Sequence, residues 1–451
     1  MGSIHIPKFI AAAIRTLGSP CSLRLVIIGL SLLLAFVSIS PVSAGTSVSG
    51  TISSHEEWTL ADSPFQVTGH VTVSSGATLT IEPGVTVKFD SGKVMEVEGT
   101  LVARGTSTST VTFTSSAASP AAGDWGYIKF KDGLSGSAGT IFDDSDNYVS
   151  GSILEHCSVE YGGAYDYVVE NATYINACTF TNNSGSTYGI VDASFYAGYG
   201  MDPRYESVRI INSVFSQNSA AITGAMNATI KGNTISNSGG IRVGGGDTSI
   251  TDNVIINAAS CSYCGAIWGN IETDSTVVIS GNHIRDNSRH GMYIFSQNNG
   301  PLTVTISNNI IVRNSGSGIV AGTLPGYCCF WTSGVTINVT GNYIADNSSG
   351  TGGGIYGNSG QMTANFRYNR IHNNSATNGS ALYIRDESSS GLDTYEYNTI
   401  TGGTGTSLIY KYQGNPTIRN NNFVHKSETY LVYDNRYVGE NATFDFENNW
   451  W

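Results

Sequence analysis

The sequence predicts an all-β solenoid, a single-stranded parallel β-helix, on three observations. A six-residue pattern returns twelve times, its apolar residues keep a two-residue period, and the composition is that of a turn-rich chain with only 12% charged residues and 54 glycines. The pattern is an apolar residue, two variable residues, a small polar residue, a variable residue and a second apolar residue. It reads Ile230/Asn233/Ile235, Ile250/Asn253/Ile255, Ile279/Asn282/Ile284 and Ile306/Asn309/Ile311, then continues through Val339/Asn342/Ile344, Phe366/Asn369/Ile371, Tyr395/Asn398/Ile400, Ile418/Asn421/Phe423 and Phe446/Asn449/Trp451. Three earlier units carry Cys157, Cys178 and Ser213 in the polar slot. Successive slots lie 20 to 35 residues apart, so a constant core unit is joined by loops of variable length.

Alternation with period two is too short for a helix and describes a strand ending in a turn. A polar residue pointing inward at each bend is tolerable only if it is bonded. Asparagines stacked from turn to turn satisfy one another through their amides, each bond contributing about 1 kcal/mol net where an unpaired buried amide costs about 1–3. Asn233, Asn253, Asn282, Asn309, Asn342, Asn369, Asn398, Asn421 and Asn449 are therefore read as a structural ladder. Upstream, Gly69–Val73, Ala77–Phe89, Val94–Leu101 and Val111–Phe113 alternate in the same way between Gly and Pro turns, which predicts further turns of one continuous coil.

These hexamers resemble the parallel β-helix repeats of the right-handed β-helix, or pectin-lyase-like, superfamily, over the chain from Thr46 to the end. The resemblance implies a right-handed solenoid. It implies no activity, because that superfamily includes lyases, epimerases, hydrolases, adhesins and proteins without catalysis. Asp124–Phe130 resembles a strand entry of such exported solenoids. The motif sets of polygalacturonase-like hydrolases and pectate lyases are missing; Arg289-His290-Gly291 matches one fragment of the former, and His290 reads as a turn residue.

Residues 1–44 read as a signal peptide: Lys8, Arg15 and Arg24 precede the apolar run Leu25–Ile39, and Val42-Ser43-Ala44 offers small residues for cleavage. The run has 15 residues, short of the roughly 17 to 25 of a spanning helix. The expected organisation is a signal peptide (1–44), N-terminal β-helix turns and cap (45–149) and β-helix repeats (150–451), in a secreted or cell-surface protein with no membrane span after signal removal. The last hexamer ends at Trp451 without a polar cap, so a truncated C-terminus with further domains beyond it is expected. A net charge of −12 with no basic patch argues against nucleic acid as a partner.

Cys261, Cys264, Cys328 and Cys329 are expected to form disulfides of undetermined pairing, whereas Cys157 and Cys178 occupy the ladder slot as buried thiols. Asp143, Asp144 and Asp146 are weak candidates for Ca²⁺, against the reading of a solvated loop; no other cofactor is implied. Eight N-x-[ST] sequons, at Asn171, Asn182, Asn227, Asn338, Asn347, Asn373, Asn378 and Asn441, arise readily in Asn-rich turns.

The second strand of each repeat starts at Ile241, Ile267, Met292, Ile319, Ile355, Leu382, Leu408 and Leu431, which turns Arg242, Trp268, Tyr293, Val320, Tyr356, Tyr383, Ile409 and Val432 outward. Trp268, Tyr293, Tyr356 and Tyr383 then form an exposed stripe about 19 Å long at a rise of about 4.8 Å per turn. Such a stripe suits the apolar faces of sugar rings, or else stabilises the sheet face. Arg385 and Lys411, with Asp386 and Glu387 beside them, are weak catalytic candidates for an acidic polysaccharide. Three functions follow: a carbohydrate-binding or cell-surface adhesion module, a polysaccharide lyase, epimerase or glycoside hydrolase, and a passive structural spacer.

Overall fold

Short strands with one apolar side bury that side by coiling the chain so that each turn lies on the last, and the computed structural model shows this coil. It describes residues 45–131, 139–145, 147–171, 174–185, 189–193, 208–258, 265–272, 274–296, 300–322, 334–358, 362–385, 393–424, 427–435 and 446–451. The described strands stack into three files, nearly all in parallel register. The first file is a 14-stranded sheet running from Glu56–Trp58 to Thr417–Arg419. The second and third belong to one 28-stranded sheet, because the long strand Phe65–Val73, stacked on Thr46–Ile52, runs through both: its first half pairs with Thr86–Phe89 and its second with Met95–Val97. One turn thus reads Ser275–Ser280, a bend at Asn282, His283–Arg285, a bend at Asn287, then His290–Phe295. The winding is right-handed.

Register holds across residue 150, where Ile153 lies beside Val102 and Cys157 beside Val111, so the N-terminal turns and the repeats are one coil. Inside it, like stacks on like: Phe180 on Phe215 at 4.8 Å and Phe366 on Tyr395 at 4.6 Å. Trp125 is fully buried against Phe89, and its indole N–H donates to the Glu160 carbonyl at 2.7 Å.

The asparagine ladder is continuous. Each amide from Asn233 to Asn421 donates to the amide oxygen one turn on, at 2.9 to 3.1 Å, and the same oxygen takes the backbone N–H of its predecessor. It extends back through Ser213 to the free buried thiols Cys178 and Cys157, where Ser213 N–H donates to Asn233 and Cys178 N–H to the Ser213 hydroxyl.

A second ladder follows five residues later, at the bend between the second and third files. Asn183 bonds Asn218, and Asn287, Asn314, Asn347 and Asn374 bond in sequence at 2.8 to 3.0 Å. Asn347, one of the sequon asparagines, is fully buried in it. The residue before each bend has left-handed φ, as at Asp252 (57°), Asn308 (55°) and Asp346 (56°), which short polar side chains tolerate best. Among the described residues no helix is long and apolar enough to cross a membrane.

Candidate functional site

The third file carries one outward row along the whole coil. Pairing of Met95, Ile128, Val169, Val191 and Ile222 places Glu96, Lys129, Glu170, Asp192 and Thr223 outward on consecutive turns. Pairing of Ile241, Ile267, Met292, Ile319, Ile355, Leu382, Ile409 and Val432 continues the row as Arg242, Trp268, Tyr293, Val320, Tyr356, Tyr383, Tyr410 and Tyr433. The N-terminal part is charged and internally paired, with Lys129 on Glu170 at 2.6 Å and Lys131 on Glu96 at 2.7 Å. The C-terminal part is aromatic.

Two expectations fail at its end. Ile409, not Leu408, pairs with Leu382, and Val432, not Leu431, pairs with Ile409, so Tyr410 and Tyr433 face outward instead of Ile409 and Val432. The cause is the apolar run Leu408-Ile409-Tyr410, in which either parity looks inward until the neighbouring turn sets the register. The same shift sends Lys411 inward. It is 1% exposed and ion-paired to Asp434 at 3.1 Å, and so cannot share a surface site with Arg385. Arg385 does face outward, its guanidinium 5.5 Å from the Tyr412 ring. Asp386 and Glu387 lie outside the described residues, as do Cys261, Cys264, Cys328, Cys329 and Asp146.

The stripe is also less exposed than expected. Tyr293 is 3% and Tyr383 9% exposed, Trp268 and Tyr356 are half-buried, and only Tyr433, at 37%, is open. Tyr356, Tyr383, Tyr410 and Tyr433 form one stack with centroids 4.8, 5.2 and 5.1 Å apart and planes within 16° of parallel. Each ring covers its neighbour's face. A ligand along the row therefore meets ring edges and hydroxyl groups rather than open faces. Burial raises the Tyr383 and Tyr410 pKa values, with the neighbouring tyrosines adding to the effect, so both keep their protons at neutral pH. At the other end of the aromatic segment Tyr293 is hemmed in by His290 and Phe295.

His290 begins a strand rather than making a turn. Its Nδ1 accepts the Ser317 backbone N–H at 3.0 Å, and burial lowers its pKa to about 4, so the ring is neutral. Asp143 accepts the backbone N–H groups of Ser145 and Asn147, each at 2.9 Å, which closes its loop on itself and holds its pKa down. Among the described residues no three potential ligands converge as a metal site.

Two family models match, a pectate-lyase-like β-helix domain over residues 50–173 and a right-handed β-helix region over residues 168–327. Together with the stacked parallel files they decide the fold. The chain folds as a right-handed parallel β-helix. No curated protein matches its sequence. Among solved structures, this β-helix is similar to a lacto-N-biosidase from Eubacterium ramulus, at 14% identity and a TM-score of 0.36, over 84% of this chain and 62% of that one. The present chain thus spans less than two thirds of that enzyme's length. It is also similar to a periplasmic alginate epimerase, at 13% identity and a TM-score of 0.39, covering 86% and 84% of the two chains. A third is the mannuronan C-5 epimerase A-module of Azotobacter vinelandii, at 13% and 0.28, covering 89% and 91%. These likenesses concern the fold alone.

Proposed function

We propose that this β-helix is an exported carbohydrate-binding or cell-surface adhesion protein whose third face holds an extended glycan. The observation that carries the reading is the unbroken row from Arg242 to Tyr433, about 34 Å long at one side chain per 4.8 Å turn, aromatic at six of its eight positions. A polymer with regularly spaced hydroxyl groups is matched by a wall with regularly spaced donors and acceptors, and protonated tyrosines supply both. Asn270, Phe295, Arg385 and Gln413, each following the row residue in its own strand, widen the face on that one side by a further outward position.

The second reading is a polysaccharide lyase, epimerase or glycoside hydrolase acting on an acidic polysaccharide. Lys411, facing the core, is withdrawn from its candidate residues, leaving Arg385 beside the tyrosine stack. The third, a passive spacer, would use the row only to stabilise the sheet face through ring stacking.

The test is retention of the chain on a panel of immobilised polysaccharides, with and without Ca²⁺, while product release is followed. Tyr356→Phe with Tyr410→Phe removes two half-buried hydroxyls and keeps the stack, so retention should fall several-fold, at about 0.5–1.5 kcal/mol per hydrogen bond. Unchanged retention in that double variant would refute binding through the tyrosine edges. Release of unsaturated or reducing-end products would move the assignment to the second reading.

A further inference from the structure

The residue preceding each first-ladder slot adopts left-handed φ, and eight of the twelve turns show why the type matters: Asn212, Gly232, Asp252, Gly281, Asn308, Gly341, Asn420 and Asn448 are residues that accept this conformation, with His156 and Ala177 at the two earliest turns. Tyr368 (φ 57°) and Tyr397 (φ 56°) break the rule on adjacent turns, where a bulky side chain is strained. Their rings stack on each other at 5.2 Å, yet they stand 62% and 49% exposed at the corner between the first and second files. One turn before Tyr368 the same position is Gly341, which has no side chain to lay over the Tyr368 ring, and the nearest side-chain atom to that position is Asn308 Oδ1 from the turn before. This is the reverse of the third-face stack, whose ring faces are taken up.

The surroundings are cationic in a chain of net charge −12. Arg367 and Arg419 flank the platform and share Glu396 between them, at 3.0 and 2.5 Å. Arg370, two residues after Tyr368 and exposed, lies 5.5 Å from the Tyr343 ring and makes no ion pair among the described residues. An exposed aromatic ring, a glycine at the same position one turn above it and, two residues on, a guanidinium without a carboxylate partner among the described residues are complementary to a pyranose ring bearing a carboxylate.

We propose that Tyr368, with Tyr397 beneath it and Arg370 beside it, is a second saccharide-binding site, selective for an anionic sugar residue and separate from the third face. The apolar face of the sugar ring rests on Tyr368 in the position left open by Gly341, and its carboxylate meets Arg370.

The experiment is calorimetric titration of the full chain with an oligogalacturonate and with its methyl ester. Tyr368→Asn installs the residue type that Asn308 and Asn420 already show is at ease there, so the melting temperature should not fall. Its affinity for the oligogalacturonate should drop about tenfold, the scale of one ring stacked on an aromatic face. Gly341→Asn, which fills the open position and leaves both tyrosines, should give the same loss. Arg370→Gln should weaken the acidic oligosaccharide and not its ester. Wild-type affinity in Tyr368→Asn and Gly341→Asn, or no binding by the parent chain, overturns the site, and an equal loss for acid and ester in Arg370→Gln overturns its selectivity. The losses in Tyr368→Asn and Gly341→Asn should persist in a chain that already carries Tyr356→Phe and Tyr410→Phe, which separates this site from the third face.

Discussion

Replacing Asn309 by Ala removes one rung from the middle of the first ladder, and the structure sets the cost. The Asn309 amide oxygen accepts both the side-chain and the backbone N–H of Asn282, each at 2.9 Å, and its amide nitrogen donates to Asn342 Oδ1 and to the Ile279 carbonyl, also at 2.9 Å. Asn342 Oδ1 keeps the Asn309 backbone N–H. The uncompensated loss is therefore the two donors of Asn282, which is 1% exposed. At about 1–3 kcal/mol for each unsatisfied buried group, the variant should lose about 2–6 kcal/mol. Asn449→Ala removes the same two acceptances from Asn421, which is itself buried, but the half-buried Asn449 side chain leaves a site that water can enter to take both bonds, so it should cost under about 1 kcal/mol. A solenoid need not unfold in one step, so the sensitive assay is native-state amide hydrogen exchange around Asn282, with urea denaturation as the global check. Equal effects of the two substitutions, or a loss below about 1 kcal/mol at Asn309, would refute the view that the ladder is held by obligatory amide bonding.

Two further outcomes are expected. The His290 pKa lies near 4 against an ordinary 6.5, so the unfolded chain takes up the proton first; the stability contributed by neutral His290 is present above pH 6.5 and is lost as pH falls toward 4. His290→Gln should flatten urea midpoints across that window, and an imidazole titration seen by NMR near 6.5 in the folded chain would contradict the burial. Burial and the adjacent Cys178 raise the Cys157 thiol well above its ordinary range, so a thiol reagent at pH 8 should leave Cys157 unmodified until urea opens the coil. Peptide mapping that finds Cys157 labelled in the native protein would show that the slot is accessible.

The parts of the site that sequence misplaced share one origin. Parity within a strand can be read only where apolar and polar residues alternate, and Leu408-Ile409-Tyr410 supplies three candidates for one inward position. Pairing to Leu382 selected Ile409, and that choice lengthened the aromatic row by Tyr410 and Tyr433 and turned Lys411 into the core. The second ladder had a signal, since Asn287, Asn314, Asn347 and Asn374 each follow a first-ladder asparagine by five residues. It is interrupted by Ser238 and Ala258, which hides its length. The charged half of the outward row, Glu96 to Asp192, begins in turns without the hexamer and ends after the Cys157 and Cys178 units, where loops of different length leave only strand pairing to align it.

What the sequence by itself determined is the repeating local unit: which residues turn inward, where the chain bends, and that buried asparagines must find one another on successive turns. Those are properties of six-residue segments, and local alternation with turn chemistry is sufficient to specify them. Only the tertiary structure decided which faces of the aromatic side chains are available. Tyr383 and Tyr368 are both tyrosines stacked on a neighbour, yet one is buried between two rings and the other stands open beneath Gly341, because exposure depends on the residues one turn away, some 20 to 35 positions distant in the chain.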